Sequence, residues 1–533
     1  MAGRVLDQPV AVGADRCGDH RRRTIAHIWH NENRQFPHFF AYQLARSPSP
    51  YTAAARTSQG IYQSIKSQIA DGSLRPGVML PSTRTLAADL AVSRSTITAV
   101  YEQLAAEGYL ETRQGRRACV SAGAASSAMK RGREKPESRL SRGLSAYGER
   151  VAGFAAATPP DAAGDSFIDF LYGALAAEDF PLLAWRRAYN RVLVRRQKQL
   201  YYEAPEGEAP LREALQGYLR RARGLRCDAD QIVIVHGSQQ AIDLCTRLLV
   251  NPKDRVVVEE PCYVMARRVF EAAGAQVMPI PVDEQGLRTA GLPEQRCKLA
   301  YVTPSHQFPL GGVLPINRRK ELLDWATRQQ AWIIEDDYDG EFRYGMRPID
   351  PLQSIDESGG VVYVGTFSKA LSPQMRLGYM VAPSALAPAL REAKRLADRH
   401  APRQDQLVLA AMIEDGSYER HVRRCRRMNE LRRGALLLAL ERYLPHDAIV
   451  DGAAAGLHVV VWLPRVAGRK ETALAAHARA QGVGIRPLSP LYAAGAARRQ
   501  RACAGFVIGY ASLSPERIEE GVRRLARALR TFK

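Results

Sequence analysis

The sequence predicts a multidomain chain in which a small α+β domain precedes a larger α/β domain that ends in a smaller α+β subdomain. Amphipathic helices and two short strands occupy residues 57–121, and a small, polar, basic stretch over residues 122–165 follows them. From Ile168 onward, near-continuous apolar runs alternate with amphipathic helices, as expected of parallel strands that are buried on both faces. The length of 533 residues also exceeds what one hydrophobic core supports, so several cores are expected.

Composition narrows the class of protein. An apolar fraction of 46% and a charged fraction of 25% are typical of a soluble globular chain. The net charge of +21 favours a polyanionic partner or anionic ligands, although a basic chain is more often merely basic. The eight cysteines have no CxxC or metal-type spacing, which predicts reduced thiols in a cytosol. Because no apolar run has membrane-spanning length, we expect a cytoplasmic protein.

Two segments carry no sustained apolar period. Residues 1–56 mix basic residues, histidines and "ARSPSPYTAAARTS", which predicts a disordered tail or an over-extended start of the reading frame. Residues 122–165 are expected to form a basic flexible linker with one short helix around Leu140–Tyr147. We assign no function to residues 1–56.

Residues 57–121 predict three helices and a β-ribbon. Ile61, Ile65 and Ile69 recur at helical spacing, so they share the buried face of the first helix. Ser82 and Ser93 precede the second and third helices as N-caps. The words "YLETRQGRRACV" then indicate two short strands around a glycine turn.

Three helices with a tight second turn and a β-ribbon are the parts of a winged helix-turn-helix. In that geometry the N-terminal residues of the third helix meet the bases in the major groove. The candidate DNA-binding residues are Arg84, Ser93, Arg94, Ser95, Thr96, Arg116 and Arg117. Helix counting alone leaves open a small helical interaction module whose arginines are only solvated.

The amino-acid sequence of this segment indicates its function more specifically than the number of its helices does. "LPSTRTLAADLAVSRSTITAVYEQLAAEGYL" resembles the GntR family of bacterial regulators nearly position by position. The resemblance implies that residues 57–121 are a DNA-binding domain. The wing of that family usually runs through a glycine-rich turn, whereas this one reads Gly115-Arg116-Arg117. We expect the turn to be less tight, and an arginine there to be available for a phosphate or the minor groove.

A single lysine raises the question of a second chemistry. In "VGTFSKALSPQMRLGYM", Lys369 follows a run that should be a buried strand. A lysine becomes a nucleophile where its surroundings disfavour the ammonium form. The functional interpretation of Lys369 is that its amine forms a Schiff base with pyridoxal 5'-phosphate (PLP). An isolated lysine after a strand is more often a surface residue, so the other groups that this cofactor requires must decide.

The cofactor needs a carboxylate at its pyridine nitrogen, a stacking ring and a partner for its phenolic oxygen. "IIEDDYDG" ends a buried strand, and from its carboxylates we choose Asp336 for the nitrogen and Tyr338 for the phenolic oxygen. Tyr263 in "EEPCYV" offers a stacking ring. In "TPSHQFPLGG", His306 or Gln307 would also reach the phenolic oxygen. A metal site built on the acidic run is disfavoured because it leaves the lysine unexplained.

The phosphate of the cofactor needs anion-binding groups. In "VHGSQQAIDL" a strand, a glycine and a helix start follow one another, so the amides of Ser238 and Gln239 are available. Thr366, Ser368 and Arg376 add hydroxyls and a bidentate cation from the lysine segment. The carboxyl ends of strands in such sheets line one crevice, so these groups are expected to converge.

Residues 166–533 resemble the fold-type I PLP enzymes of the aspartate aminotransferase kind, through "TPSHQFPLGG", "IIEDDYDGEFRY" and "GTFSKALSPQMRLG". Joined to a GntR head, the chain resembles MocR-type transcriptional regulators. The resemblance implies PLP bound to Lys369 and, with the turn to helical sequence after about Pro383, a small subdomain over about 383–533. "LYYEAPEGEAPLREAL" is similar to the segment that reaches a neighbouring subunit's phosphate, which implies a head-to-tail homodimer in which Tyr202 makes that contact.

Two functions remain open at this point. Catalytic relatives anchor the amino-acid carboxylate with an arginine on the C-terminal strand, where this sequence has Val507. Arg267, Arg486, Arg399 or Arg403 would have to replace it. This departure favours a regulator that binds double-stranded operator DNA and responds to an amine or amino acid forming an aldimine with PLP, or to PLP itself. The alternative is a working aminotransferase with an accessory DNA-binding head.

Overall fold

The structure, a computed structural model, divides into two compact units at residues 141 and 142. It describes residues 57–113, 115–125, 143–154, 166–195, 201–345, 349–493 and 503–532. The tail expected over residues 1–56, and most of the linker expected over residues 122–165, lie outside the described residues.

The first unit has the three helices and the β-ribbon that the sequence predicts. Its elements are α1 (Ser58–Ala70), α2 (Thr83–Leu90), α3 (Arg94–Ala106), β1 (Leu110–Glu111) and β2 (Cys119–Val120). The two strands pair antiparallel, with Leu110 opposite Val120. This confirms the order of elements expected from the apolar spacing and the turn residues.

Local sequence explains where these helices begin. The Ser82 hydroxyl accepts the Thr85 N–H at 3.1 Å, and the Ser93 hydroxyl accepts the Thr96 N–H at 3.1 Å, as N-caps do. Ile65 on α1 is fully buried in the core that the three helices share. The predicted caps and the predicted apolar face are therefore confirmed.

The second unit is built on an eight-stranded sheet with the order β4-β11-β10-β9-β8-β5-β6-β7. Its strands are β4 (Ile232–Val235), β5 (Arg255–Glu260), β6 (Gln276–Asp283), β7 (Gly286–Leu287), β8 (Leu299–Val302), β9 (Trp332–Asp337), β10 (Val361–Thr366) and β11 (Gly378–Val381). Strands β5, β6, β8, β9 and β10 run parallel, whereas β11 runs antiparallel to both β10 and β4. The carboxyl ends of β4, β5, β8, β9 and β10 therefore share one edge of the sheet.

Helices pack around this sheet and extend the unit toward the C-terminus. They are α4 (Ala146–Ala152), α5 (Leu182–Leu193), α6 (Ala209–Arg223), α7 (Ser238–Leu249), α8 (Val264–Ala273), α9 (Ile316–Gln329), α10 (Ala387–Asp398), α11 (Arg403–Glu414), α12 (Ser417–Tyr443), α13 (Glu471–Ala480) and α14 (Pro515–Thr531). All residues of the central strand β10 are buried, as a strand covered on both faces requires. In the described part of the chain, no helix is both long and apolar enough to cross a membrane.

A second sheet carries the C-terminal α+β layer. It has the order β12-β13-β16-β15, formed by β12 (Ile449–Asp451), β13 (His458–Ala467), β15 (Arg486–Pro487) and β16 (Cys503–Gly509). Beside it, β3 (Ile168–Asp169) pairs parallel with β14 (Val483–Gly484). The C-terminal layer therefore recruits a strand from the start of the unit, which the local sequence pattern does not indicate.

The short helix expected around Leu140–Tyr147 lies further along the chain. The Ser145 hydroxyl caps α4 by accepting the Gly148 N–H at 3.1 Å. Within α4, Arg150 Nε donates to the Ala272 carbonyl oxygen on α8 at 2.8 Å. This end of the expected linker is therefore packed against the second unit.

Candidate functional site

Lys369 follows β10 at the edge of the sheet where the carboxyl ends meet. A Cβ atom on Gly173, whose φ is +85°, would lie 2.9 Å from Lys369 Nζ, so a larger residue there would require the amine to shift. Burial lowers the pKa of the Lys369 amine below its ordinary value, and the carboxylates of Asp339 and Asp336 oppose that shift. A lowered pKa is the condition under which a lysine acts as a nucleophile at neutral pH.

The acidic run at the end of β9 is divided between the two faces of the sheet, because side chains alternate along a strand. Glu335 accepts two backbone N–H groups, at 2.7 and 2.9 Å, and Asp337 pairs with the buried Arg223. Asp336 instead accepts the Tyr301 hydroxyl at 2.7 Å. Of the three carboxylates, Asp336 is therefore the one that shares a face with Tyr338.

Asp336 provides the main evidence that this crevice fits a ligand. It is 3% exposed, and its Oδ1 atom has no hydrogen-bond partner among the described residues. Burial raises the pKa of Asp336 to about 7, although the hydrogen bond from Tyr301 opposes that shift. A buried carboxylate oxygen without a donor is costly, and the N–H of a protonated pyridine ring would satisfy it. The site therefore fits the nitrogen end of PLP.

Tyr338 belongs to a hydrogen-bonded network that the sequence identified only in part. Its hydroxyl lies 2.9 Å from His306 Nδ1, and that nitrogen lies 2.8 Å from Asp339 Oδ2. Of the two candidates in "TPSHQFPLGG", His306 is therefore the one beside Tyr338. The amide of Gln307 donates to the backbone oxygens of Pro261 (2.8 Å) and Phe308 (2.6 Å), so it supports the loop.

An anion-binding corner lies at the start of α7. Gly237, with a φ of +79°, precedes the helix, and a Cβ atom there would lie 2.9 Å from Arg376 Nη2. Arg376 also donates to the His236 carbonyl oxygen at 2.8 Å, so its guanidinium lies over the helix start. The N–H groups of Ser238 and Gln239 occupy the first turn of α7, where the helix dipole favours an anion.

The hydroxyls of the lysine segment adjoin this corner. Thr366 Oγ1 donates to Ser368 Oγ at 3.0 Å and accepts the Ser368 N–H at 3.1 Å. Thr366 also pairs across the sheet with Gly378, and a Cβ atom on Gly378 would lie 2.9 Å from Gly237 Cα. The five residues expected around the phosphate therefore come from neighbouring strand ends.

Tyr263 is a buried ring that is influenced by both charged ends of this crevice. Burial raises the pKa of Tyr263 to about 12, the Asp336 carboxylate adds to the shift, and the Arg376 guanidinium opposes it. Its ring packs edge-on against Phe308 with centroids 6.2 Å apart. This position suits a ring stacked on a cofactor whose nitrogen and phosphate contact Asp336 and Arg376.

Tyr202 lies on the surface of the second unit. Its side chain is 69% exposed, and the guanidinium of Arg399 lies 4.6 Å from the centroid of its ring. Such a residue is available to a second subunit, which is the role that the sequence predicts for it.

The first unit presents its candidate DNA contacts on the outside. Arg94 and Ser95 are exposed at the start of α3, and so is Ser93, although its hydroxyl already caps the helix. Ser93 Oγ also lies 2.7 Å from Thr96 Oγ1, and Thr96 is half-buried. The remaining candidates, Arg84, Arg116 and Arg117, are exposed.

Three site residues were missed by reasoning from the sequence. Tyr301 was hidden because a tyrosine inside the apolar run "KLAYVTP" looks like an ordinary core residue. Asp339 is the last carboxylate of "EDDYD", and a search for a partner of His306 would have indicated it. Nothing in the sequence near Gly173 indicates that it approaches Lys369.

Comparison with known proteins agrees with this two-part structure. Residues 57–120 match the family model of bacterial regulatory proteins of the gntR family, and residues 168–525 match that of aminotransferase class I and II. Among solved structures, a kynurenine aminotransferase from Pyrococcus horikoshii is 30% identical with a TM-score of 0.63, and covers 69% of this chain and 91% of its own. LysN, an α-aminoadipate aminotransferase from Thermus thermophilus, is 31% identical with a TM-score of 0.61, and covers 69% and 92%.

Relatives that span both units are regulators by name. The uncharacterized HTH-type transcriptional regulator YdeL of Bacillus subtilis is 34% identical over 88% of this chain and 96% of its own length. The probable rhizopine catabolism regulatory protein MocR of Rhizobium meliloti is 34% identical over 88% and 92%. The HTH-type pyridoxine biosynthesis transcriptional regulator PdxR of Corynebacterium glutamicum is 30% identical over 84% and 91%. The chain therefore belongs to the GntR family of HTH-type transcriptional regulators, in the MocR-type group that carries an aminotransferase class I and II domain.

Proposed function

We propose that this regulator binds PLP, and that its effector is either an amine or amino acid that reacts with the cofactor or PLP itself. The observation that carries the proposal is the buried, unpaired Oδ1 atom of Asp336, on the same crevice as the Lys369 amine and the Arg376 guanidinium. PLP supplies an aldehyde that condenses with primary amines. The chain supplies the amine, the counter-charges and the shape of the crevice.

Each end of the cofactor has a partner in this proposal. Lys369 would hold the aldehyde carbon, Asp336 would accept the ring N–H, and Tyr338, beside His306, would donate to the phenolic oxygen. Tyr263, which packs edge-on against Phe308, would stack on the ring. The phosphate would bind to Ser238, Gln239, Thr366, Ser368 and Arg376.

The alternative is a working aminotransferase, and the surroundings of Val507 argue against it. Val507 is fully buried in an apolar cluster with Phe308 and Trp462, so its position offers no cation to a substrate carboxylate. Arg267 donates to the Leu491 carbonyl oxygen at 3.0 Å instead. Two relatives that match 88% of this chain are named as regulators, which also favours the regulator over the aminotransferase.

Two further arginines have partners elsewhere. Arg403 lies 3.2 Å from the carboxylates of both Glu203 and Glu208, and Arg399 stacks over Tyr202. Both residues therefore already contribute to a different part of the surface, around Tyr202.

Arg486 is the remaining candidate for a carboxylate anchor. It lies directly opposite Val507 in the pairing of β15 with β16, so the two side chains are on the same face. Arg486 Nη2 lies 2.7 Å from Asp169 Oδ2 and is partly exposed. We infer that an effector carboxylate would exchange with Asp169, which favours amino acids, or amines with a similarly placed anion, as effectors.

The proposed partners are double-stranded operator DNA and a second copy of the chain. The first unit offers the exposed guanidinium of Arg94 at the start of the recognition helix. On the second unit, the adjacent Tyr201 and Tyr202 both expose large side chains, and a second subunit would cover them. A head-to-tail homodimer at its promoter in the cytoplasm is the resulting assembly.

The experiment that tests the proposal follows the cofactor by absorbance. Purified protein incubated with PLP should develop the visible or near-ultraviolet band of a lysine-bound cofactor. Single-turnover mixing with a panel of amino acids and oxo acids then separates the two functions. A spectral change without sustained conversion of the cofactor supports the regulator, whereas repeated conversion to the amine form and back supports the aminotransferase. Protein that stays colourless contradicts both.

A further inference from the structure

A cavity of about 360 Å³ lies between α5 and the start of α12 in the second unit. Four arginines line it: Arg187 and Arg191 from α5, and Arg420 and Arg424 from α12. We call it the arginine cavity. None of its lining residues belongs to the groups proposed to hold PLP.

The charges in this cavity are unbalanced. Asp415 is the single carboxylate in its lining, and it pairs with Arg191 at 3.1 Å. Arg187, Arg420 and Arg424 make no ion pair with any other residue in the part of the chain that the structure describes. All four arginines are exposed, and several guanidinium groups around one cavity attract an anion, more strongly at low salt.

The backbone adds to this positive potential. The helix α12 is 27 residues long and begins at the cavity with Ser417, whose N–H donates to Asp415 Oδ1 at 2.9 Å. The positive end of the helix dipole therefore lies at the cavity, beside this carboxylate. A helix start and several arginines together provide both the charge and the donors that a phosphate group needs.

One wall of the cavity contacts the lysine segment. His421, which is 6% exposed, has its Nε2 atom 2.6 Å from the carbonyl oxygen of Ala370, the residue after Lys369. An accepting carbonyl requires the proton to be on Nε2, so this nitrogen donates. A ligand that moves His421 therefore shifts the backbone beside the PLP lysine.

We propose that the arginine cavity binds an oxyanion with two or more negative charges, of the phosphate class, and that His421 transmits its occupancy to Lys369. The volume suits a small phosphorylated molecule, and bidentate arginines suit phosphate oxygens. A backbone phosphate of bound DNA carries the same chemistry, so the test must separate the two sources.

The test uses full-length protein loaded with PLP and inorganic pyrophosphate as the probe. Calorimetry should show that wild type binds pyrophosphate, and that the R187Q/R424Q double variant binds it about tenfold or more weakly, because two charge-assisted contacts are lost. The R442Q/R465Q double variant is the matched control, since both of its arginines are exposed and far from the cavity in sequence. It should bind pyrophosphate like wild type.

A second experiment measures how the affinity for DNA depends on salt concentration. If a DNA phosphate occupies the cavity, the slope of log affinity against log salt concentration should fall by about two in R187Q/R424Q and stay constant in the control. A small-molecule site leaves that slope unchanged in both variants. If neither pyrophosphate binding nor the salt slope of R187Q/R424Q differs from the control, the proposal is wrong.

The effect of anion binding on Lys369 is measured separately, through the affinity for PLP. Saturating pyrophosphate should change the dissociation constant of PLP in wild type but not in R187Q/R424Q. Unchanged PLP affinity alongside pyrophosphate binding would overturn the role of His421 and leave the anion site. PLP absorbance recorded on the same samples shows whether the cofactor site is intact, so this site and the proposed function fail independently.

Discussion

The two units of the chain position their functional groups in opposite ways. In the first unit, Arg94 and Ser95 are exposed at one helix start, and a single local N-cap, Ser93, sets where that helix begins. In the second unit, Asp336 is buried and Lys369 half-buried, at the ends of different strands. The recognition helix is therefore a local structure, whereas the cofactor crevice depends on sheet order. Variants that affect one unit and leave the other unchanged test this difference.

The largest effect is expected from Lys369→Ala. Removing the amine should abolish the absorbance band of lysine-bound PLP, because that band arises from the imine that the Lys369 amine forms with the aldehyde. Affinity for operator DNA without effector should stay within about twofold of wild type, since the recognition helix is a local structure of the first unit. Absorbance and fluorescence anisotropy measure the two properties. Retention of the band would show that another amine holds the cofactor.

Asp336 should make the stability of the cofactor-free protein depend on pH. Its pKa of about 7 in the folded protein exceeds that of an unfolded aspartate, so the folded state binds the extra proton. Stability from this group is therefore present below about pH 4 and is lost as pH rises toward 7, by at most about 1.4 kcal/mol per pH unit. Glu259 and Glu335, whose pKa values burial also raises to about 7, act in the same direction.

Asp336→Asn isolates that contribution. Thermal unfolding of apo protein between pH 5 and 7.5 should show a smaller fall in Tm for the variant than for wild type. PLP should reduce the fall in wild type, because a ring N–H stabilises the charged carboxylate. The same variant should bind PLP more weakly. Equal pH dependence in the two proteins would show that Asp336 is not the titrating group.

Arg94→Ala should give the reverse of the Lys369→Ala result, because it changes the first unit and leaves the cofactor crevice intact. Loss of its contact should weaken operator binding by about 1–3 kcal/mol, as for a specific arginine–base contact. The PLP band should be unchanged. Arg328→Ala, at an exposed position in the second unit, has the same change in charge and serves as the control. Unchanged DNA affinity in Arg94→Ala would mean that α3 is not the recognition helix.

A smaller and more selective effect is expected from Arg486→Met. An amino-acid effector should bind about tenfold more weakly, because a charge-assisted hydrogen bond to its carboxylate is lost. The matching amine without a carboxylate should bind as it does to wild type, which makes it the internal control. Spectral titration of the bound cofactor measures both. Equal weakening of the two ligands would indicate a structural role with Asp169 instead.

The smallest effect should come from Ser82→Ala at the start of α2. Loss of the cap should destabilise the first unit by about 1 kcal/mol, and Ser82→Thr should restore most of it because the oxygen remains. Thermal unfolding would show the change in the transition of the first unit. A change in the PLP band would contradict the independence of the two units.

The sequence alone was sufficient for features that depend on neighbours along the chain. Apolar spacing predicted α1 to α3 and the buried strands, and Ser82 and Ser93 predicted helix starts. The acidic run and the lysine segment predicted the chemistry of the cofactor crevice. The helix expected around Leu140–Tyr147 was misplaced because its start depends on one cap, Ser145, and on packing against α8.

The tertiary structure decided what depends on residues far apart in the sequence. The pairing of β3 with β14, the approach of Gly173 to Lys369, and the network of His306 with Tyr338 and Asp339 all join distant segments. Hydrogen bonds within a turn or cap depend on a few adjacent residues, so a local pattern records them. Contacts between strand ends depend on the order of the whole sheet, which no short stretch of sequence contains.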